Sequence, residues 1–467
     1  MRINYQIPKN ISRISSIVMV IAVSLILTGC GPKKEDKFDE GIKQIKHVVV
    51  IYMENHSFDN LYGQFDGANG LPNPTDSTVI QIDSNNVVYK TLPPGSASSE
   101  IPSTLPNRYF NIDQYIRPDK ETPDVLHQFY EEQIQIDSGK MNKFAAYNSK
   151  SHGLSMGYYT TKALPLYPIA EEYTLCDSFF HSAFGGSFLN HQWLISAATP
   201  VFKNSQDTTG YPKHDKHGHL VGGRITRDGF VINTSYSVNH PRPDTGKYYY
   251  TNPNQLVENL TATTIGDLLT AKGVKWGWYS GGWDMALLRG AKYADSINFQ
   301  YHHQPFIYYK KYADGTKAKA EHLRDEQEFL ARAKNGTLLP VSFVKPLGTF
   351  NEHPFYSTVK QGEDHAVELI NAVLNGPNGK DVLIILTYDE NGGFWDHVRP
   401  PAMAKDKMGP GSRVPAIIIS PFAKKGFVDH TQYETVSILA FIEKRFGLPA
   451  LTERDKKANP FRNAFNF

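Results

Sequence analysis

Two stretches far apart in the chain end apolar runs in clustered oxygen ligands. The first, HVVVIYMENHSFDNLYG at 47–63, carries Glu54 and Asn55 shortly after the apolar run 48–52. The second, DVLIILTYDENGGFWDHVRPP at 381–401, carries Asp389 and Glu390 after the apolar run 382–386, then Gly392 and Gly393, then Asp396 and His397. Uncharged, β-branched runs of this kind are expected as strands buried on both faces of a parallel sheet. Open α/β sheets gather ligands at the carboxyl ends of such strands. Two strands would therefore deliver carboxylates and an amide to one edge. Carboxylates brought together repel unless a cation lies between them, so the pattern points to a divalent metal held by hard oxygen donors. The competing reading makes these acids helix caps or partners of surface Lys and Arg; two strand ends of one design favour the metal. Asp396 and His397 stand second, because His397 could ligate metal or touch substrate and could equally orient the turn through the backbone.

A hydroxyl lies between these stretches in sequence. Residues 179–183 run into Gly185-Gly186-Ser187-Phe188-Leu189-Asn190-His191, where two glycines let the backbone turn sharply and bring Ser187 close to a bound phosphate. Ser187 also reads as a helix N-cap, and the two roles are compatible.

The elements that must position these groups form a sheet. Short runs at 275–279 and 414–419 read as further strands, and 431–446 as a helix. In that helix Thr431 and Glu434 suit a capping box, Leu439, Ile442 and Phe446 form an apolar stripe, and Gly447 and Pro449 stop it. Strands alternating with helices predict an α/β, three-layer helix-sheet-helix sandwich with a mainly parallel central sheet. Tracts at 65–118 and 200–254, rich in Gly, Pro, Asn, Asp and Tyr, read as loop insertions that cover the site, as substrate lids do.

The run Glu54-Asn55-x-Ser57-Phe58-Asp59, the run Asp389-Glu390-x-Gly392-Gly393 with Asp396-His397-Val398, and the segment Gly411-Ser412-Arg413-Val414-Pro415 through Ser420-Pro421 occur in this order. From about residue 45 to 448 the chain resembles the bacterial phosphoesterase family, which contains non-specific phospholipases C and a respiratory-burst-inhibiting type of acid phosphatase. The resemblance implies an alkaline-phosphatase-like fold. It also implies that Ser187 is the nucleophile and, with Glu54, Asn55, Asp389 and Glu390, a ligand of one divalent ion that lowers the hydroxyl pKa. By the same resemblance His127, His302, His303 and His353 are active-site histidines that donate to phosphoryl oxygens or protonate the leaving alkoxide. The oxygen donors argue against a thiolate-type structural zinc site and admit Zn, Mn, Ca or Mg. His56 departs from the pattern, since many members carry Arg there.

Ser at the nucleophile position and the histidine set look more like the phosphatase branch. The expected activity is thus a broad-specificity acid phosphatase using imidazolium at acidic pH, with phospholipase C action on phospholipid head groups as the alternative. A sulfatase would need a Cys-or-Ser-x-Pro-x-Arg run, and neither Cys176 nor Ser187 sits in one. A non-catalytic ligand-binding lipoprotein would be expected to lose some of the acids or the hydroxyl, and all are present.

The amino terminus predicts export. Arg2, Lys9 and Arg13 precede an apolar segment at 17–27 that ends in Leu27-Thr28-Gly29-Cys30, which resembles a bacterial lipoprotein signal. The reading is a signal peptide over 1–29, a lipidated tether over 30–44 beginning at Cys30, and a catalytic domain over 45–467. Lipid on Cys30 would anchor the protein to the cell envelope, in the outer membrane where there are two, since no acidic residue follows the cysteine. Removing the leader's three cations from the 49 Lys and Arg leaves them one short of the 47 acidic residues, a balance that gives no footprint for nucleic acid. With Cys30 lipidated, Cys176 has no disulfide partner, so burial and metal must supply stability.

Overall fold

The computed structural model describes residues 36–95, 100–148, 150–202, 208–239, 256–289 and 296–467. The expected signal peptide, Cys30 and the tether as far as residue 35 lie outside the described residues, as do parts of both insertions. Among the described residues no helix is long and apolar enough to cross a membrane.

Eight strands build the central sheet: β1 (His47–Met53), β2 (Thr174–Cys176), β3 (Trp276–Ser280), β4 (Leu323–Asp325), β5 (Val341–Lys345), β6 (Val382–Tyr388), β7 (Ala416–Ile419) and β8 (Phe427–Asp429). Their spatial order is β4-β3-β5-β1-β6-β7-β2-β8. All pairings are parallel except those of β7, which runs antiparallel to β6 and β2. β1 from Val48 onward and the whole of β6 are buried, as continuous apolar runs covered on both faces must be. Helices flank the sheet: α1 (Phe58–Tyr62), α2 (Phe129–Ile136), α3 (Ser187–Ser196), α4 (Glu326–Asn335), α5 (Val359–Leu374) and α6 (Thr435–Phe446). α3 packs on α6 and α4 on α5, completing the three-layer sandwich.

The register decides what the sheet edge presents. Met53 pairs with Tyr388, so the next residues, Glu54 and Asp389, emerge side by side. Ile51 pairs with Val344, which places the last residue of β5, Lys345, beside Tyr52. Three neighbouring parallel strands thus end in charged residues at one edge.

Two expectations need correction. Residues 37–44, read from their charges as tether, fold into a short helix at Lys37–Gly41 and a 3-10 turn at Ile42–Gln44. Phe38 and Ile42, one turn apart, bury a shared apolar face, and Phe38 packs against the rings of Phe441 and Phe465. The helix expected from Thr431 starts four residues later. Tyr433 and Glu434 are extended and pair with Phe179 and Phe180, and the capping box is formed by Glu434 with Ser437. Thr431 instead gives its N–H to Asp429 Oδ1. The expected stop holds, with Gly447 in the left-handed conformation at φ 62°.

Candidate metal and nucleophile site

Glu54, Asn55, Asp389 and Glu390 are all fully buried. Asp389 Oδ1 accepts the backbone N–H of Asn55 at 3.1 Å and of Glu390 at 2.8 Å, while its buried Oδ2 has no hydrogen-bond partner. Glu390 Oε2 accepts from the N–H of Gly392 at 2.5 Å. Gly392 has φ 61°, and a Cβ there would stand 2.1 Å from the Asn55 carbonyl oxygen, so only glycine lets this turn pass over Asn55. Asn55 itself has φ 66°, a left-handed residue at the exit of β1.

Ser187 reaches the same place from the other side. Gly185 has φ 85° and a Cβ there would lie 2.6 Å from the Phe129 nitrogen. Gly186 is the N-cap, which makes Ser187 the first helical residue of α3 and not its cap. All ten residues of α3 are buried, and Asn190 pins the preceding turn by accepting from Ala183 N at 3.1 Å and donating to Ala183 O at 3.0 Å. Glu132 accepts from Gly185 N at 2.6 Å. Burial alone would raise the Glu132 pKa, but His181 and the N–H groups of Gly185 and Ser412 hold it below its ordinary value. The result is a hydroxyl aimed at the acids: Ser187 Oγ donates to Glu54 Oε2 at 2.8 Å.

The electrostatics ask for a cation. Burial, then repulsion from Glu54, lifts Asp389 to about 7, and burial with Asp389 nearby pushes Glu390 well above its usual range. In the orientation that satisfies its amide, Asn55 turns nitrogen toward the acids, donating to Glu390 Oε1 at 2.8 Å and Glu54 Oε2 at 2.9 Å. Its oxygen then accepts from His353 Nε2 at 3.1 Å. An amide N–H stands where positive charge is wanted. Hard oxygens facing one another, one of them orphaned, fit a divalent ion held by Glu54, Ser187, Asp389 and Glu390, with Asn55 as a further ligand once its amide turns the oxygen inward in place of the nitrogen.

The four expected histidines fall on two sides of this cluster. His127 and His353 lie on the Asn55 and Glu390 side, with ring centroids 5.8 Å apart and His127 Nε2 3.9 Å from Glu390 Oε1. Their Nδ1 atoms sit 2.5 Å from Val125 O and 2.6 Å from Pro354 O. A carbonyl accepts only a proton, so a neutral His127 ring keeps its lone pair on the Nε2 that faces inward, whereas a neutral His353 has one proton to share between Pro354 O and the Asn55 oxygen. His302 and His303 lie on the Glu54 side, with His303 Nε2 3.2 Å from Glu54 Oε1. Burial draws His353 down to about 4 and His303 well below its ordinary value. Burial thus disfavours the charged form of both rings.

Sequence reasoning missed two residues here. His191, one turn along α3 from Ser187, has Nδ1 2.7 Å from Ser187 O and stacks on His303 with centroids 4.9 Å apart and planes 3° from parallel. Lys345, 1% exposed, donates to Glu54 Oε1, to Tyr52 O at 2.9 Å and to Met53 O at 3.4 Å. Signals existed for both: the i, i+4 spacing from Ser187, and a third apolar run, VSFV, that ends in a charge.

Asp396 and His397 belong to a neighbouring ion network. Arg413 Nε donates to Asp396 Oδ1 at 2.9 Å and its terminal nitrogen to Asp59 Oδ1 at 3.1 Å, while His397 Nδ1 lies 2.6 Å from Asp59 Oδ2. Asp396 also accepts from the backbone N–H of Asp59 and Val398. These bonds tie the turn after β6 to α1, and ligand atoms of Asp59, Asp396 and His397 also lie within 4.8 Å of one another. His56 is buried and stacked on Phe394, and it bonds Asn60 and the Glu352 carbonyl.

Two clefts share Asp124 and Leu126, and His127 lines one of them. One, of about 630 Å³, reaches Gly186 and is lined by polar groups including Tyr211, Lys213, Arg224 and Asn233. The other, of about 820 Å³, has an apolar wall of Tyr115, Ile116, Pro123, Phe355 and Tyr356, and the Tyr356 ring lies 4.6 Å from that of His353. The described part of the second insertion supplies most of the polar cleft's wall, and the first gives Glu100, Tyr115 and Ile116 to the other cleft.

The profile of the Phosphoesterase family matches residues 45–449. The chain is 24% identical to phospholipase C B of Mycobacterium tuberculosis, over 94% of this chain and 81% of that protein. It is also 24% identical to the non-hemolytic phospholipase C of Pseudomonas aeruginosa, over 91% of this chain and 58% of that longer protein. Among solved structures, an alkaline phosphatase superfamily protein from Vibrio parahaemolyticus is similar at a TM-score of 0.32, with 9% identity over 72% of this chain and 71% of that one.

Proposed function

This chain belongs to the Phosphoesterase family and is a phosphoric ester hydrolase, and we propose that it acts as a phospholipase C on phosphodiesters with an apolar leaving group. The observation that carries this reading is the pair of clefts that share Asp124 and Leu126, the polar one lined by His127. A phospholipid presents a polar head group on one side of its phosphate and a diacylglycerol on the other. The polar cleft suits the first and the aromatic-walled cleft the second. The phospholipase C relatives support the same choice over an acid phosphatase.

A divalent ion bound at Glu54, Asn55, Ser187, Asp389 and Glu390 would supply a Lewis acid that lowers the Ser187 hydroxyl pKa and offsets phosphate charge. The chain's own groups do the rest. Ser187 Oγ, already donating to Glu54 Oε2, is the nucleophile, and the amino end of α3 favours the negative charge that develops on it. Attack forms the Oγ–P bond and breaks the bond from phosphorus to the glycerol oxygen. His127, half-buried on the wall of the polar cleft next to the residues the two clefts share, is placed to hand that oxygen a proton when charged. Water then attacks phosphorus, and Ser187 recovers its proton as the head-group phosphate departs.

Export with lipid on Cys30 remains part of the proposal, because an anchored enzyme would meet its substrate at a bilayer surface. Mass spectrometry of the mature amino terminus tests it: a diacylated Cys30 supports the anchor, and an unmodified terminus elsewhere refutes it. For the activity, kcat/KM on nitrophenyl phosphorylcholine and on nitrophenyl phosphate should be compared under one set of conditions. The diester should be preferred; a clear preference for the monoester would restore the phosphatase reading.

A further inference from the structure

Lys345 stands at the point where the acid cluster meets the stacked histidines. Glu54 divides its carboxylate: Oε2 takes the Ser187 proton at 2.8 Å, and Oε1 faces Lys345 Nζ, His303 Nε2 at 3.2 Å and His191 Nε2 at 4.0 Å. Ligand atoms of Glu54, His191 and His303 all lie within 4.8 Å of one another, close enough to hold a metal ion. Both Nε2 atoms are buried without a hydrogen-bond partner. His191 Nδ1 lies 2.7 Å from the Ser187 carbonyl oxygen, which leaves its Nε2 as the lone-pair nitrogen. A carboxylate oxygen and two inward imidazole nitrogens are a transition-metal donor set.

We infer that Lys345 is the fixed countercharge that holds this enzyme to a single divalent ion, by occupying the carboxylate oxygen on which a second ion at Glu54, His191 and His303 would depend. The Lys345 ammonium has three N–H bonds and three acceptors: Glu54 Oε1, Tyr52 O and Met53 O. The backbone of β1 therefore keeps it in place, and a second cation would have to displace it from Glu54. The charges agree. Glu54, Asp389 and Glu390 bring three negative charges, which one divalent ion and one ammonium neutralise; a second divalent ion beside Lys345 would leave the buried cluster with excess positive charge. The inference rests on the first ion proposed above, and it assigns His191 and His303 to a latent ion site that the lysine closes.

The test is metal content. Full-length wild type, Lys345→Ala and Lys345→Ala/His303→Ala are stripped with chelator and dialysed against excess Zn(II). Bound zinc is then measured per chain by elemental analysis, with calorimetric titration as a check. Wild type should hold one ion, Lys345→Ala two, and the double variant one again. Lys345→Ala holding one ion, or wild type holding two, overturns the inference while leaving the first ion standing. Wild type holding none overturns the metal reading itself. Should Lys345→Ala fail to fold, His191→Ala/His303→Ala in the wild-type background decides: one ion bound with unchanged affinity supports the lysine as occupant, and loss of an ion or of affinity shows that the rings are ligands already.

Discussion

Ser187 Oγ donates to Glu54 Oε2 at 2.8 Å, which joins the first turn of α3 to the end of β1. One residue comes from a glycine turn and the other from a buried strand. Their contact makes Glu54 an orienter of the nucleophile as well as a ligand, so the two substitutions should differ. Ser187→Ala should lower kcat by about 10⁴-fold or more on every ester, since the attacking hydroxyl is removed. Glu54→Gln keeps the shape and loses the charge, and should cost roughly 10²- to 10⁴-fold together with metal affinity. Steady-state kinetics with metal titration separates the two.

Removal of metal should make stability depend on pH through Asp389. Its pKa rises on folding from an ordinary carboxylate value to about 7, because burial and Glu54 disfavour the charge. The folded state then binds more protons than the unfolded one between these values, so stability is fully present at the acid end and falls as pH rises through about 7. Asp389→Asn removes that dependence. In metal-free protein the variant should gain thermal stability relative to wild type as pH goes from 4 to 8. His56, drawn down to about 4, titrates in both proteins and cancels in the difference, while His353 and Glu390 both lose the influence of the Asp389 charge in the variant and add to the gap in the same direction. Metal should raise the melting temperature of wild type only. Thermal melts across pH, with and without chelator, give the answer; a gap independent of pH would show that Asp389 is charged in the metal-free fold.

The strand ends were readable because burial and chemistry share a pattern: an apolar run, then an abrupt acid. The position of Ser187 was readable because two glycines announce a turn. Lys345 obeys the same rule as Glu54 and Asp389 but was passed over, since a single basic residue after VSFV resembles an ordinary strand exit. His191 hid in a helix buried on every side, where periodicity marks no face. Phe38 and Ile42 were masked by the charges around them. The α6 start was misplaced because Thr431 with Glu434 imitates a capping box, whereas the strand pairing of Tyr433 and Glu434 with Phe179 and Phe180 is long-range and invisible locally.

Arg413 should matter for stability more than for metal. Its guanidinium is buried between Asp59 and Asp396, so Arg413→Ala leaves Asp396 without its charge partner and Asp59 with His397 alone, at a cost of about 3–5 kcal/mol. Urea unfolding should show the loss, and metal affinity of the folded fraction should change little. A large fall in affinity with intact stability would place the network in the metal site.

Phe355 offers a substrate-selective test. It is 63% exposed on the apolar cleft wall, beside the Tyr356 that packs on His353. Burying a phenylalanine side chain against lipid contributes about 1.5–3 kcal/mol, so Phe355→Ser should lower kcat/KM on phosphatidylcholine vesicles roughly tenfold or more. Activity on nitrophenyl phosphorylcholine, which lacks acyl chains, should be retained. Equal losses on both substrates would remove the cleft from acyl-chain binding.

Product analysis on phosphatidylcholine vesicles tests the central claim most directly. Metal-loaded wild type should release diacylglycerol and phosphorylcholine in equal amounts, with nothing released after chelation or from Ser187→Ala. An enzyme that leaves phosphatidylcholine intact while hydrolysing phosphomonoesters, or one that keeps full activity when shown by elemental analysis to be metal-free, would contradict the account.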